Sequence, residues 1–178
     1  MRVLGLDPGS RRTGFGVVER HGNRLGCLEH GCMMPPAGAS LAHRLHHIAR
    51  EAGQVMDRVA PDAVVVESAF YRENVRSALV LGHVRGALLV VAVERDLPVF
   101  EYSPREIKLS VVGNGGAAKE QVAYMVRRLL ALAAEPGGDA ADALAGAICH
   151  LQRGPRPEAR AQKPAARRLE ALLARSAR

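Results

Sequence analysis

Apolar residues near the start of the chain alternate with polar or small residues over short stretches, which is the pattern of β-strands. Tight turns separate these stretches, at Pro8 and Gly9 and again at Gly22. In the first turn we expect Pro8 to fix its own φ and Gly9 to supply a positive φ. Three short strands with such connections predict an antiparallel meander. The predicted strands are residues 2–7, 13–20 and 24–33.

Helical periodicity begins after this meander. Ser40 is suited to cap a helix whose apolar positions recur at helical spacing as far as Val59. The next stretch, Ala63 to Val66, is continuously apolar, which is typical of a strand buried on both faces in a parallel arrangement. The same criteria predict helices at residues 74–95, 104–111, 119–132 and 139–151, and a strand at residues 98–101.

The order of these elements predicts an α/β fold. Strands that alternate with helices require right-handed crossovers. We therefore expect a five-stranded mixed sheet, with three antiparallel and two parallel strands and with helices on both faces. The fourth strand is expected to lie parallel to the first, which creates a crevice for ligands at their carboxyl ends. Asp7 and Glu67 end these two strands, so their carboxylates are expected to converge.

Two further carboxylates, Asp139 and Asp142, begin the last predicted helix at i and i+3, on one helical face. The structural alternatives are a turn cap for Asp7 and an N-cap or first-turn position for Asp139. Four carboxylates in a partly buried cluster repel one another, so either their pKa values rise or a cation neutralises them. Oxygen ligands without His or Cys favour Mg²⁺ or Mn²⁺. Two such ions, about 3.5–4 Å apart, can hydrolyse a phosphodiester without a covalent enzyme intermediate.

Length and composition are those of one globular domain. The chain has 178 residues, 48% of them hydrophobic and 3% aromatic, so its core must be built from aliphatic side chains. Three cysteines are an odd and sparse set that favours free thiols over disulfides or a zinc site. We find no uninterrupted run of about 18 apolar residues and no basic-then-apolar leader, so we expect no membrane contact and a cytoplasmic location.

Positive charge is concentrated near the C-terminus. The net charge of the chain is +7, and residues 151–178 hold eight Lys and Arg against two Glu, a balance of +6. Residues 1–150 therefore carry 17 basic and 16 acidic residues, or +1. We expect one domain at residues 1–152 and a basic, disordered tail at residues 153–178. Such a tail attracts nucleic acid without sequence preference.

Four segments carry a resemblance to a known family: LGLDPGSRRTGFGVV, VVVES, SPREIKLSVVGNGGAAKEQV and GGDAADALA. In this order they resemble RuvC-type Holliday-junction resolvases, over residues 1 to about 152. The resemblance implies a ribonuclease H-like fold, a homodimer, and paired symmetric nicks in a four-way DNA junction during recombination and repair. It also implies a branch-migration complex of the RuvA–RuvB type as a partner. Two Mg²⁺ per subunit, which Mn²⁺ can replace, would be held by the matching carboxylates Asp7, Glu67, Asp139 and Asp142.

Residues that would hold DNA lie close to these carboxylates in the sequence. By the resemblance, Phe70 matches an aromatic residue that stacks on unpaired bases, and Lys108 and Lys119 match lysines that support catalysis or bind the backbone. Ordinary burial of Phe70 and ordinary surface exposure of the lysines are the structural alternatives. Gly14 and Gly16 are expected to leave space for a DNA backbone over bound metal. Further candidate DNA contacts are Arg11, Arg12, Tyr71, Arg72 and Arg76.

Small residues recur every four positions in the second predicted helix, at Ala78, Gly82 and Gly86. Because Gly costs about 1 kcal/mol in a helix interior, this line favours the close approach of another helix. That helix could belong to the same chain. The homodimer implied by the resemblance favours a two-fold interface instead.

Three other functions agree with parts of the sequence. Another ribonuclease H-like nuclease, acting on a hybrid or a flap, would use the same carboxylates. An actin/hexokinase-type phosphotransferase would explain residues 7–10 and Gly14, but this short chain shows no second phosphate loop and no adenosine motif. A non-catalytic DNA-binding domain would have no need of four carboxylates.

Overall fold

The structure, a computed structural model, describes residues 1–68 and 75–154. This part of the chain contains five strands and five helices. Their order is the one predicted from the sequence pattern. The tail is predicted to begin at residue 153, but Arg153 is the last residue of a helix, and the tail beyond Gly154 lies outside the described residues. The strands are β1 (Arg2–Asp7), β2 (Thr13–His21), β3 (Arg24–Met33), β4 (Ala63–Glu67) and β5 (Val99–Tyr102). The helices are α1 (Leu41–Val59), α2 (Val75–Val93), α3 (Pro104–Val112), α4 (Lys119–Leu129) and α5 (Gly138–Arg153).

The strands form one mixed sheet in the order β3-β2-β1-β4-β5, which confirms the predicted fold class. β1 runs antiparallel to β2 and parallel to β4, and β5 is parallel to β4. The β1–β4 register pairs Leu6 with Val66. Asp7 and Glu67 follow these residues directly, so they reach the same edge of the sheet. That edge is where α/β sheets of this kind bind ligands.

Side-chain alternation along the central strands divides the core into two layers. Leu4 and Leu6 pack on one face of the sheet, together with the buried residues of α1 and α2. Val3 and Val65 face the opposite side, where α3, α4 and α5 pack. The valines of β4 are buried on both faces, as its continuously apolar sequence predicted.

α5 lies directly on β1 and β2, and strand glycines make this contact possible. A Cβ atom added at Gly5 would lie 1.9 Å from the carbonyl oxygen of Ala143. A Cβ atom at Gly14 would lie 2.0 Å from the carbonyl oxygen of Asp139, and one at Gly16 would overlap a leucine side chain of α5. The expectation that Gly14 and Gly16 leave space for DNA is therefore wrong, because α5 fills that space.

Gly9 also serves close packing rather than turn conformation. Its φ is not positive, contrary to expectation, since the described glycines with positive φ lie elsewhere. A Cβ atom at Gly9 would lie 2.1 Å from the carbonyl oxygen of Arg12. The hydroxyl of Thr13 donates to the Gly9 carbonyl oxygen at 2.7 Å and accepts from the Gly9 N–H at 3.3 Å. The loop after β1 is thus folded tightly onto the start of β2.

Helix ends agree with the sequence prediction within two residues, except at the end of α4. Ser40 caps α1 as expected, and its hydroxyl accepts from the His43 N–H. α4 ends at Leu129 rather than at residue 132. The reason is local, because Ala131 takes a φ of 50°, which a right-handed helix cannot accommodate.

The outer face of α2 is apolar and exposed. An added Cβ atom at Gly82 or Gly86 would meet no atom within 4 Å, so packing among the described residues does not explain these glycines. α2 has no apolar run that is uninterrupted over its whole length, but its length and its mean hydropathy of 1.5 over 18 residues are sufficient to cross a membrane. One such helix is weak evidence for a membrane span. Its large exposed apolar residues are Val75, Leu79, Val90 and Val93, at 57–74% exposure.

The contact between α5 and the sheet predicts that Gly5→Ala is strongly destabilising. The new methyl group would force the α5 backbone away from β1, at a cost of about 1–3 kcal/mol or more. Urea denaturation measures this loss of unfolding free energy. Gly26→Ala in β3 is the matched control, because a Cβ atom there meets nothing within 4 Å. Equal stabilities of the two variants would contradict the proposed role of Gly5.

Candidate active site

Four carboxylates from three elements line one cleft at the carboxyl edge of the sheet. β1 contributes Asp7, β4 contributes Glu67, and the first turns of α5 contribute Asp139 and Asp142. The structure thus brings together all four carboxylates that the sequence singled out. The volume of the cleft is about 730 Å³, which is within the range of ligand-binding sites.

Asp139 does not cap α5. The N-cap residue is Gly137, which has no side-chain hydrogen bond to the helix. Asp139 occupies the first turn instead, and its Oδ2 atom lies 3.4 Å from Nε of Arg12. Because the helix does not need this carboxylate as a cap, the carboxylate is available to the cleft.

The acidity of Asp7 is strongly perturbed. Burial is the largest cause, and the neighbouring charges of Glu67, Asp142 and Asp139 add to it in that order; together they raise the pKa of this carboxyl to about 8. The nearby Lys119 opposes this effect. Without a bound cation, Asp7 therefore holds a proton at neutral pH, as repulsion among close carboxylates requires.

Lys119 is the first residue of α4, and its ammonium group reaches across to α5. Its Nζ atom donates to Oδ2 of Asp142 at 3.0 Å. This hydrogen bond and the charge of Asp142 raise the pKa of Lys119 above its ordinary value. Asp139 and Asp142 are thus each paired with a basic side chain of the chain itself.

The donor set fits a hard divalent cation, although its present arrangement does not form a finished site. Among residues 1–68 and 75–154, no three His, Cys, Asp or Glu side chains are placed so that they could hold a metal ion. Yet the cluster offers only oxygen donors, and the pKa of Asp7 is raised first by burial and then by the negative charge of the other three carboxylates. A cation can relieve that repulsion once the ion pairs of Asp139 and Asp142 open.

Basic side chains surround the carboxylates in the wall of the cleft. Arg44 of α1 is a member that the sequence analysis did not predict. A signal for it existed, because Arg44 lies three residues after Leu41 and four before Ile48, on the apolar side of its helix. The predicted residues found in the wall are Arg11, Arg12, Arg76, Lys108 and Lys119. The predicted residues Phe70, Tyr71 and Arg72 lie outside the described part of the chain.

The residues predicted for a dimer interface begin beside this site. Ala78 and Gly82 line a smaller cavity of about 170 Å³ that also includes Glu67 and Pro8. Gly86 follows one helical turn later, on the open side of α2. The exposed face of α2 therefore starts at the edge of the carboxylate cleft.

Comparison with known proteins decides the family. A family model described as Crossover junction endodeoxyribonuclease RuvC matches residues 3–150. The chain belongs to the RuvC family. The RuvC protein of Azoarcus sp. (strain BH72) is 52% identical over 153 residues, which cover 86% of this chain and 83% of the relative. The RuvC protein of Trichlorobacter lovleyi is 50% identical over 151 residues, 85% of each chain.

A solved RuvC structure supports the same assignment. T. thermophilus RuvC in complex with a Holliday junction substrate superposes with a TM-score of 0.82 at 36% identity, covering 86% of this chain and 94% of that chain. The predicted ribonuclease H-like fold is therefore confirmed. The segment that matches the RuvC family contains the four carboxylates as well as Lys108 and Lys119.

The raised pKa of Asp7 predicts that Asp7→Asn stabilises the metal-free protein at alkaline pH. A carboxyl whose pKa is higher in the folded than in the unfolded state lowers stability as pH rises from about 4 to about 8. Removing its charge should therefore raise the unfolding free energy at pH 8 by an amount on the order of 1–3 kcal/mol. Near pH 4 the gain should vanish.

Denaturation in EDTA at both pH values measures this difference. Asp62→Asn is a suitable control, because Asp62 lies outside the cleft and accepts from the backbone N–H of Arg2. A gain for Asp7→Asn that is the same at both pH values would contradict the raised pKa of Asp7.

Proposed function

We propose that this chain resolves four-way DNA junctions by paired symmetric nicks in recombination and repair, through hydrolysis that depends on two Mg²⁺ ions, which Mn²⁺ can replace. The observation that carries the proposal is the meeting of Asp7, Glu67, Asp139 and Asp142 in one cleft of a RuvC-family fold. Family membership favours this function over a hybrid or flap nuclease and over a phosphotransferase.

The four carboxylates would hold the metal ions, which, when bound, activate water and stabilise the leaving oxygen of a phosphodiester. Asp7 lies near the other three carboxylates, since the charge of each raises its pKa. To serve as a ligand, Asp7 must give up the proton that its raised pKa lets it keep at neutral pH. Loading with metal is therefore expected to release a proton and to improve as the pH approaches 8.

Lys119 and Arg12 hold positive charge beside the position of the reacting phosphate. Each now pairs with a carboxylate of α5, at 3.0 Å for Lys119 and 3.4 Å for Arg12. With those carboxylates engaged in holding metal ions, both side chains would be free to turn to the phosphate oxygens of the cleaved strand. The N-terminal amides of α4, which begins at Lys119, add affinity for an anion.

The remaining basic residues of the wall would hold the DNA on both sides of the cut. The cleft is lined by four carboxylates and six Lys or Arg side chains, a balance of +2 before any cation binds. Phosphate contacts of this kind fix position without reading sequence. We assign such contacts to Arg11, Arg76 and Lys108, base stacking to Phe70, and flanking contacts to Tyr71 and Arg72.

We further propose that two copies of the chain associate through the open face of α2. Paired nicks at symmetric positions require two active sites related by a two-fold axis. Leu79 is 62% exposed, and Gly82 and Gly86 leave room for a second helix to approach closely. Since this face begins beside Glu67, a partner there would lie close to both the cleft and the DNA.

The remaining proposals concern the whole chain. We place the nuclease in a single domain at residues 1–152, followed by a basic tail at residues 153–178 that adds non-specific attraction to DNA. We also propose that the enzyme is cytoplasmic and makes no membrane contact. Its proposed partner is a RuvA–RuvB type branch-migration complex.

A comparison of substrates tests the proposed function. The wild-type chain with Mg²⁺ should nick a synthetic four-way junction at two symmetric positions and leave a linear duplex and an RNA–DNA hybrid largely uncut. Asp7→Asn should bind the junction but cut it at least about 100-fold more slowly, because a ligand of the metal site is lost. EDTA should abolish cutting by the wild type. Equal cutting of all three substrates would contradict junction resolution.

A charge placed on the face of α2 tests the dimer. Leu79→Glu should convert a dimer at micromolar concentration into a monomer, because a carboxylate cannot be buried unpaired in an apolar interface. Light scattering or sedimentation measures the mass. Tyr124→Glu on α4 is the matched control, since Tyr124 is also largely exposed, at 52%, but lies on a different helix. A monomeric wild type at the same concentration would overturn the assignment.

A further inference from the structure

Arg44 is a half-buried cation of the cleft wall that the carboxylate chemistry does not use. It belongs to the first turns of α1, away from the segments that resemble the family motifs. Its Nη1 atom donates to Oγ of Ser10 at 3.3 Å. Ser10 lies in the loop that follows Asp7 and lines the same cleft. Arg44 thus connects α1 to the loop beside the reacting group.

The guanidinium of Arg44 has unused binding capacity. Its Nε atom is buried and has no hydrogen-bond partner among the described residues. No ion pair joins it to an acidic side chain in the described ranges, whereas Arg58, further along the same helix, binds Glu29 through both Nε and Nη2. A half-buried guanidinium without an anionic partner carries a desolvation cost. Its terminal N–H groups, on the side that lines the cleft, are therefore suited to an anionic ligand.

A backbone phosphate of DNA is the anion that fits this place. Guanidinium groups bind phosphate oxygens through two parallel hydrogen bonds, and Arg44 lines a cleft whose wall holds five other Lys or Arg side chains. Ser10 is three residues from Asp7, so their Cα atoms are at most about 11 Å apart. One strand of a DNA duplex rises about 3.4 Å per nucleotide along the helix axis, so this upper limit on the Cα separation corresponds to about three nucleotides.

We propose that Arg44 binds a phosphate of the cleaved strand within about three nucleotides of the scissile phosphate, with the Ser10 hydroxyl holding the guanidinium in place. This inference rests on the proposed junction nuclease function. The competing role is purely structural, in which Arg44 only holds the loop of Ser10 in position. Only the first role requires a charged DNA phosphate near Arg44. Neutralising single phosphates of the junction therefore distinguishes the two roles.

Binding measurements in an Asp7→Asn background test the proposal without cleavage. Adding Arg44→Met should weaken junction binding by about 5–20-fold at fixed salt and lower the slope of log affinity against log salt by about 0.9. Arg44→Lys keeps the charge and should recover part of the loss. Arg50→Met is the matched control, because Arg50 is an exposed arginine of the same helix that does not line the cleft.

Junctions with single methylphosphonate substitutions locate the contact. Neutralising the phosphate that Arg44 binds should weaken the Asp7→Asn protein but leave the Asp7→Asn/Arg44→Met protein unaffected, and this position should fall within three nucleotides of the cut. Ser10→Ala should reproduce only part of the Arg44→Met effect. Thermal melting confirms that each variant is folded.

Two results would overturn the proposal. One is an unchanged salt slope for Arg44→Met with no phosphate whose neutralisation removes the effect. The other is a full loss of binding in Ser10→Ala, which would make loop positioning the whole role. Failure of the proposed function would look different, because the Asp7→Asn protein itself would then show no preference for a junction over a duplex.

Discussion

The close contact of α5 with the centre of the sheet determines where chemistry can take place in this protein. Glycines in β1 and β2 let the α5 backbone approach so closely that an added methyl group at Gly5 would overlap a carbonyl oxygen. That approach carries Asp139 and Asp142 to the strand end where Asp7 and Glu67 emerge. The same contact between α5 and the sheet therefore packs the core and assembles the site, so a change in this contact alters both.

This arrangement has an electrostatic cost in the absence of cations. Asp7 is buried among three other carboxylates, and its pKa of about 8 shows how strongly the fold opposes its ionisation. Arg12 and Lys119 reduce the repulsion by pairing with the two carboxylates of α5. Proteins commonly accept such local instability where function needs it. Here the same charges that oppose folding create the affinity for divalent metal ions on which the proposed hydrolysis depends.

The two sides of the cleft have different physical characters. The wall holds six Lys and Arg side chains, which suits a polyanion that enters from solvent. Next to it, α2 presents an apolar face with side chains such as Leu79 largely exposed. Several large apolar side chains exposed on one helix are consistent with the proposed contact between two copies of the chain. The surface of this single chain is thus suited to both DNA and a second protein surface.

The sequence by itself determined the order of strands and helices, because periodicity and turn residues are local properties. It also predicted that Asp7 and Glu67 converge, since parallel strands end at one sheet edge. Local patterns could not reveal that Gly14 and Gly16 accommodate α5, or that Arg12 pairs with Asp139 and Arg44 with Ser10. These contacts join residues more than 30 positions apart. Only the tertiary structure decided them, because it is the packing of distant elements that determines which atoms meet.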